Sequence, residues 1–308
     1  MRNDRIIDAH VHTYPTAAIG QQAMQGMGRS GSSGTVGELL DVMAGGKISY
    51  SVLANMTPTY DMRVAALDSL PAGSPPADRE RAEKEINEKV IDRMKRRNLW
   101  SCTSAREHPG LVPLISIDLL QSPEEMQAEV EDKVKIHGAR GLKLHPVSNR
   151  FYPSDPGLWP AYQKAVEMGL PILFHSGEGE VAGYTQADFG RPANFEPVMQ
   201  SFPQLVIILA HLGKGFLGES VALARKHGNV HFDTSAILSG SEIKSGFSSR
   251  EEALELIRSI GVTRVLFGSD WPWFSPLSAI RQIESLGFSE DEKRMILGRN
   301  AARVFRLG

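Results

Sequence analysis

Short runs of apolar and β-branched residues recur along the whole chain, and segments with a helical pattern separate most of them. The apolar runs predict eight strands, over residues 5–10, 48–56, 111–118, 140–145, 171–176, 205–212, 230–235 and 265–270. The clearest helical patterns cover residues 78–97, 123–137, 158–168, 216–227, 250–260 and 276–286. An alternation of strands and helices in this order indicates βαβ units and therefore a parallel sheet.

The number and spacing of the predicted strands favour a closed barrel over an open sheet. Most strands begin about one βα unit apart, and eight such units form an α/β fold of the (β/α)8 TIM-barrel type. We therefore expect a single domain over residues 1–308, with a last helix over residues 290–305 packed outside the barrel. A doubly wound open sheet is the alternative. The long connections at residues 13–35 and 57–76 follow strands one and two, so both would lie on the catalytic face.

Composition and charge exclude several classes of protein. The chain has 308 residues, of which 41% are hydrophobic and 23% charged, as in ordinary globular proteins. A formal net charge of −2 provides no general attraction to nucleic acid or to an anionic membrane. The single cysteine, Cys102, excludes an intrachain disulfide. There is no apolar run of membrane-spanning length and no signal-peptide pattern, so we expect a cytoplasmic protein.

Residues of metal-binding type stand at the carboxyl ends of four predicted strands. Strand one ends with His10 and His12, which the alternation of side chains along a strand places on one face. Strands five, six and eight end at His175, His211 and Asp270, each before a loop that contains glycine or proline. In a barrel all these ends meet at one mouth. We interpret them as one site, because four unrelated strand ends would seldom all carry such residues.

The strand ends also carry motifs that resemble the amidohydrolase superfamily, specifically the amidohydrolase-related group with aminocarboxymuconate-semialdehyde decarboxylase-like proteins. The motifs are DAHVH at residues 8–12, GLKLHP at 141–146, FHSG at 174–177, LAHLG at 209–213 and FGSDWP at 267–272. The resemblance implies a TIM barrel with a divalent metal, commonly zinc, at its mouth. It implies the metal ligands His10, His12, His175 and Asp270, and it identifies His211 as the residue that activates or orients a metal-bound water.

The chemistry of these residue types agrees with the resemblance. Neutral imidazoles and a carboxylate suit Zn²⁺, and a catalytic site keeps one coordination position open. Zinc lowers the pKa of bound water toward roughly 7. His211 or Asp270 could then take the proton and return it to a leaving group. Asp8 would orient a ligand, or would hydrogen-bond to loop backbone instead.

Lys143 on strand four requires an explanation of its own. Alternation places Lys143 and His145 on one face, which is the barrel interior if Leu142 and Leu144 pack against helices. A buried lysine needs a charge partner. It could bind a substrate carboxylate beside one metal ion, or it could be carbamylated and bridge two ions, as at this strand in binuclear relatives. The third interpretation is a lysine whose ammonium group reaches solvent.

Two further side chains are weaker candidates for substrate binding. Arg63 lies after strand two, where the resemblance implies an arginine for an anionic substrate, although a surface position would also explain it. Trp271 follows Asp270 directly and would form part of the pocket wall. Packing of this ring against the last helix is the alternative.

The leading functional interpretation is a metal-dependent hydrolase that acts on a small organic acid, amide or lactone. The alternative is a non-oxidative decarboxylase or hydratase of a small unsaturated or aromatic acid, because the same ligands serve both reactions in the family. A TatD-like nuclease is disfavoured by the balanced charge. A metal-free binding protein is disfavoured by the complete set of ligand positions. We expect an anionic small-molecule substrate, and the sequence leaves the formation of a homo-oligomer open.

Overall fold

A computed structural model describes residues 5–26, 28–71, 73–178, 187–238 and 249–308. Its strands are β1 (Ile6–Val11), β2 (Ile48–Leu53), β3 (Leu111–Ile115), β4 (Gly141–Leu144), β5 (Ile172–Phe174), β6 (Ile207–Leu209), β7 (Val230–Asp233) and β8 (Val265–Leu266). They lie in chain order within one sheet, and every neighbouring pair is parallel. All eight predicted strands are therefore confirmed.

Backbone contacts join the first strand to the segment that follows the last strand and so close the barrel. The Asp270 amide donates a hydrogen bond to the His10 carbonyl at 2.9 Å. One residue further along each segment, Val11 and Trp271 form a parallel bridge. The predicted single-domain (β/α)8 TIM barrel is confirmed, and the alternative of an open sheet is wrong, because an open sheet keeps two unpaired edges.

Helices follow the strands along the chain. In the described ranges they are α1 (Ala17–Gly26), α2 (Val36–Gly46), α3 (Thr59–Asp68), α4 (Pro76–Glu107), α5 (Pro123–Lys135), α6 (Pro146–Asn149), α7 (Trp159–Met168), α8 (Glu196–Ser201), α9 (Leu217–Lys226), α10 (Arg250–Ile260), α11 (Pro276–Ser285), α12 (Glu290–Arg294) and α13 (Asn300–Phe305). A π-helical turn at Met295–Arg299 joins the last two. Capping residues in the sequence determine where some of these helices begin. Ser122, for example, forms a capping box with Glu125 at the start of α5.

The helix α4 is longer than predicted and has 32 residues. The predicted end at residue 97 was too early because Asn98, Ser101 and Cys102 continue its buried face with polar or small side chains. These residues hide the apolar period on which the prediction depends. Although α4 is long enough to cross a bilayer, its composition is polar. Within the described ranges, no helix combines the length and the apolar character that spanning a membrane requires.

The two long connections on the catalytic face contain helices rather than loops alone. The first includes α1 and the second includes α3. Gly20 shows why the glycine-rich first connection is ordered, since a Cβ there would lie 1.6 Å from the Ser33 carbonyl oxygen. That glycine permits a close contact between helix and backbone. Its presence therefore indicates packing rather than an irregular loop.

Apolar side chains fill the barrel interior. The inner cluster takes residues from most strands, among them Ile7, Val52, Leu173 and Ile208. A larger cluster lies between the strands and the outer helices. Part of the C-terminal segment packs in this outer layer as expected, through Ile296 and Leu297. Ala301 and Phe305 of α13 join the inner cluster instead. The amphipathic pattern identifies a buried face on this segment but not the surface that it covers.

Candidate active site

His10, His12 and Asp270 form a compact group at the barrel mouth. The two histidines come from the end of β1, and Asp270 follows β8. His10 Nε2 lies 3.1 Å from His12 Nε2, and Asp270 Oδ1 lies 3.6 and 3.3 Å from these two atoms. All three ligand atoms lie within 4.8 Å of one another. The structure thus brings together three of the four predicted metal ligands.

The backbone turns sharply at two of the site residues. Asp270 has a φ angle of 66° and His211 has a φ angle of 60°. Residues other than glycine seldom adopt this left-handed region, and such positions concentrate at functional sites. Each turn lies within four residues of the end of a buried strand, so both side chains end at the same mouth. The hydrogen bond between the Asp270 amide and the His10 carbonyl holds the first of these turns.

Asp233, at the end of β7, orients His10 and was missed in the sequence analysis. Its Oδ2 lies 2.8 Å from His10 Nδ1, and its Oδ1 accepts a hydrogen bond from the His211 amide at 3.0 Å. Burial raises the pKa of this carboxyl group, but His10 and His211 outweigh that effect and keep the pKa well below its usual range. A carboxylate at Nδ1 places the imidazole proton there, so His10 Nε2 presents a lone pair. The signal was available, because the segment Val230–Asp233 ends a strand with an acid.

His175 pairs with His211 instead of joining the first group. His175 Nδ1 lies 3.1 Å from His211 Nε2, while His175 Nε2 is buried and has no hydrogen-bond partner among the described residues. The Ser235 carbonyl lies 3.0 Å from His211 Nδ1. That carbonyl is an acceptor, so it places a proton on Nδ1 and leaves a lone pair on His211 Nε2. The mouth therefore holds two clusters of histidines.

Lys143 lies beside His10 of the first cluster. Its side chain is 1% exposed, and its Nζ lies 3.3 Å from His10 Nε2. Burial lowers the pKa of Lys143 to about 8, against the opposing attraction of Asp233 and Asp270. The interior position predicted from strand alternation is therefore present in the structure, whereas an ammonium group that reaches solvent is not. Substrate binding and carbamylation both stay open as predictions.

His145 is a further histidine of the mouth that the sequence analysis did not assign to the site. Its ring stacks on His175 with centroids 3.9 Å apart and planes 8° from parallel. Its Nδ1 accepts a hydrogen bond from the Ser148 amide at 3.1 Å, so its proton is on Nε2. Burial lowers the pKa of both stacked histidines well below the usual value. Both rings are therefore neutral.

A cavity of about 260 Å³ opens beside these groups. It is lined by the two histidine clusters, Lys143 and Asp270, by the apolar and aromatic side chains of Tyr14, Met56, Trp273 and Phe274, and by Arg29, Arg97, Lys214 and Glu178. The edge of Trp273 packs against His12 with ring centroids 4.7 Å apart. The cavity thus combines hydrophobic walls with a small number of charged groups, as ligand sites usually do.

Two predicted substrate contacts lie elsewhere in the structure. Trp271 is 4% exposed and belongs to the core, because its bridge to Val11 turns it away from the cavity; Trp273 lines the cavity instead. Arg63 forms an ion pair with Glu83 of α4 and does not line the cavity. We correct both expectations, since a position after the right strand does not decide the direction of a side chain.

The donor set fits a divalent cation. The lone pair of His10 Nε2 faces His12 Nε2 and the Asp270 carboxylate, so acceptor atoms converge at this point. Burial lowers the pKa of His12 to about 3, which keeps the ring in the neutral form that binds metals. Burial raises the pKa of Asp270, but the His12 hydrogen bond and His10 hold it far below its usual range, so it is a carboxylate. Two imidazoles and a carboxylate are typical ligands of divalent metal ions in enzymes.

The family is decided by a comparison with models of protein families, in which the amidohydrolase model matches residues 7–307. The chain belongs to the amidohydrolase family. The resemblance inferred from the strand-end motifs is thereby confirmed. The match spans every strand of the barrel, so the motifs are part of a similarity over the whole fold.

Two curated relatives of this amidohydrolase-family protein catalyse different reactions. Gamma-resorcylate decarboxylase from Polaromonas sp. (strain JS666) is 23% identical over 227 residues, which cover 61% of this chain and 68% of the relative. A dihydroorotase from Yersinia pestis is 26% identical over 156 residues, which cover 42% of this chain and 43% of the relative. The match therefore spans less than half of the dihydroorotase.

Solved structures of decarboxylases share the fold. The 5-carboxyvanillate decarboxylase from Sphingomonas paucimobilis superimposes with a TM-score of 0.68 at 18% identity and covers 99% of each chain. The dihydroxybenzoic acid decarboxylase from Polaromonas sp. JS666, solved with manganese and the inhibitor 2-nitroresorcinol, has a TM-score of 0.70 at 16% identity. That alignment covers 98% of this chain and 97% of the other. At these identities the similarity establishes the architecture alone.

Proposed function

We propose that this protein is a metal-dependent, non-oxidative decarboxylase of a small aromatic acid. The composition of the cavity carries the proposal. Four of its described lining side chains are cationic and two are carboxylates, and aromatic rings form much of the wall. Such a lining suits a planar substrate with negative charge. The decarboxylases among the relatives support the same class of reaction, which was the alternative in the sequence analysis.

We propose His10, His12 and Asp270 as ligands of one divalent cation, with His175 as a further ligand. A bound cation would supply Lewis acidity toward a substrate oxygen. Zinc suits imidazole and carboxylate donors, whereas the dihydroxybenzoic acid decarboxylase was solved with manganese. The family relationship and the donor set support a divalent metal without choosing between the two.

His211 is proposed to handle the proton that the reaction consumes. Decarboxylation breaks a carbon–carbon bond, releases carbon dioxide and forms a carbon–hydrogen bond, so a group at the cavity must deliver one proton to the ring carbon. The Ser235 carbonyl fixes the His211 tautomer and leaves Nε2 on the side of the site histidines. With its lone pair, this atom can take up a proton from solvent and then deliver it to the ring carbon, which leaves the imidazole neutral again. Asp270 is the second candidate for this role.

A hydrolase acting on an amide or lactone is the second candidate function, and one feature of the site favours it. The buried Lys143 contacts His10 at a mouth that also carries the His175 and His211 pair. A carbamylated Lys143 would add a carboxylate to this donor set and would suit two metal ions instead of one. The dihydroorotase match supports hydrolysis of a cyclic amide.

Product analysis separates the two candidates. Protein loaded with Zn²⁺ or Mn²⁺ is incubated with hydroxylated benzoic acids labelled with ¹³C at the carboxyl group, and with a panel of cyclic amides and lactones. A decarboxylase releases labelled carbon dioxide, and the signal disappears in His10→Ala protein. Ring opening without carbon dioxide would instead establish the hydrolase and contradict the proposal.

A further inference from the structure

Arg97 is a cation in the wall of the cavity, and its side chain is held in one place. The guanidinium carbon lies 5.1 Å from the ring centroid of Tyr14 and 5.1 Å from that of Trp100. Arg97 Nη2 donates a hydrogen bond to the carbonyl oxygen of Thr13, the residue that follows His12. Two aromatic contacts and a backbone acceptor leave this long side chain little freedom. Its position is therefore tied to the strand that carries the site histidines.

The charge of Arg97 has no carboxylate partner in the part of the chain that the structure describes. Its hydrogen-bond acceptors there are the Thr13 carbonyl and, at 3.5 Å, the Asn55 side chain. Both accept from Nη2, so Nη1 has no protein acceptor among the described residues. Lys143 differs, because Nζ contacts His10 and two nearby carboxylates attract its charge. Arg97 is therefore a cation of this cavity that is suited to an anion brought by a ligand.

Tyr14 contacts Arg97 and lines the same cavity as Asp270. Burial raises the pKa of the Tyr14 phenol to about 12, while Arg97 and Asp270 act on it in opposite directions. Trp273 packs against His12 on this wall. An aromatic ring held by these apolar surfaces would present its charged substituent to Arg97.

We infer that Arg97 binds the carboxylate of the substrate and selects acids over uncharged analogues. The inference rests on the proposed function in one respect, since it takes this cavity as the substrate site. A planar guanidinium fits a carboxylate through two parallel hydrogen bonds, which a lysine cannot reproduce. The substrate class is accordingly an aromatic acid whose carboxylate points toward α4 and whose ring packs against Tyr14 and Trp273.

Binding measurements on metal-loaded protein test this assignment without relying on turnover. Isothermal titration compares 2,6-dihydroxybenzoate and benzoate with their uncharged amides. The parent should bind each acid more tightly than the corresponding amide. Arg97→Met should weaken binding of the acid by about 10- to 100-fold and leave the affinity for the amide nearly unchanged. Arg97→Lys keeps the charge, so its affinity for the acid should lie between that of the parent and that of Arg97→Met. Arg96→Met is the matched control, because Arg96 is exposed on the same helix and does not line the cavity.

Several outcomes would overturn the assignment. A parent protein that binds no acid more tightly than its amide lacks the proposed selectivity. Unchanged acid binding in Arg97→Met, or loss of the preference in Arg29→Met instead, would assign the anion to another group. If Arg97→Met does not fold, as judged by circular dichroism, Arg97→Lys takes its place, and its affinities for the acid and the amide are compared in the same way. Acid binding that depends on Arg97 without release of carbon dioxide would reject the decarboxylase and keep this inference.

Discussion

Asp233 Oδ2 lies 2.8 Å from His10 Nδ1, and both side chains are almost completely buried. The contact joins the ends of β7 and β1, which are separated by 223 positions in the sequence. The carboxylate fixes the tautomer of His10 and thereby directs the Nε2 lone pair toward His12 and Asp270. Gly268 makes room for this arrangement, since a Cβ there would lie 3.0 Å from His10 Cβ and 3.4 Å from Asp233 Cγ.

Replacing Asp233 with Asn should weaken metal binding although Asp233 is not a proposed ligand. The amide lacks the charge that holds the proton on His10 Nδ1, so we expect a loss of roughly 10- to 100-fold in metal affinity. Competition with a fluorescent chelator for Zn²⁺ and Mn²⁺ measures this affinity directly. Asp132→Asn on the exposed face of α5 is the control. Equal affinities in the two variants would show that the contact does not support the metal.

A second prediction concerns the stability of the barrel in acid. Burial, with the charges of Arg303 and Arg264, lowers the pKa of His231 on β7 from 6.5 to about 4, against the opposing effect of a hydrogen bond to the Arg264 backbone. Below pH 6.5 the unfolded chain therefore binds a proton that the folded protein does not. The stabilisation is complete above about pH 6.5 and is lost as the pH falls toward 4, by at most about 3 kcal/mol.

Urea unfolding of the parent and of His231→Gln between pH 4 and pH 7.5 measures this effect. The parent should lose more unfolding free energy than the variant over the acid range, because glutamine does not titrate. His108→Gln is the control, because His108 lies at the end of α4 and not on a barrel strand. Parallel curves for the parent and His231→Gln would contradict the prediction.

The sequence predicts the barrel well because each strand carries a short apolar run of its own. Strand positions depend on local composition, and the closure of eight units follows from their number. The direction of individual side chains depends instead on contacts across the barrel. Trp271 and Trp273 are two positions apart, yet the bridge to Val11 buries the first and leaves the second at the cavity. No local pattern encodes that difference.

The sequence predicted which residues line the site, but only in part which of them lie next to one another. His10, His12 and Asp270 meet because β1 and the segment after β8 are neighbours in the closed barrel. His175 comes from β5, farther around the barrel, and contacts His211 from the adjacent β6. Arg97 could not be anticipated, because a long helix with many charged residues gives no indication of which arginine turns inward.

A third prediction concerns the chemical state of Lys143. Burial lowers the pKa of Lys143 only to about 8, because Asp233 and Asp270 favour the charged form. We therefore expect an uncarbamylated lysine and about one divalent ion per chain. Intact-protein mass spectrometry and metal analysis after purification in bicarbonate test both statements. The variant Lys143→Met should keep its metal, whereas two ions in the parent that fall to one in the variant would establish the binuclear site.

A fourth prediction separates the role of His211 from metal binding. Its Nε2 contacts His175 and its Nδ1 is held by Ser235, so the ring is fixed where a proton can be transferred to a substrate in the cavity. His211→Asn should lower turnover by roughly 10²- to 10⁴-fold, the usual effect of losing a general acid or base, while metal content stays near that of the parent. His227→Asn, at the end of α9, is the matched control because that histidine lies outside the cavity. If His211→Asn loses metal together with turnover, His211 is a ligand; if turnover is unchanged, the proton comes from another group, and Asp270 is the next residue to test.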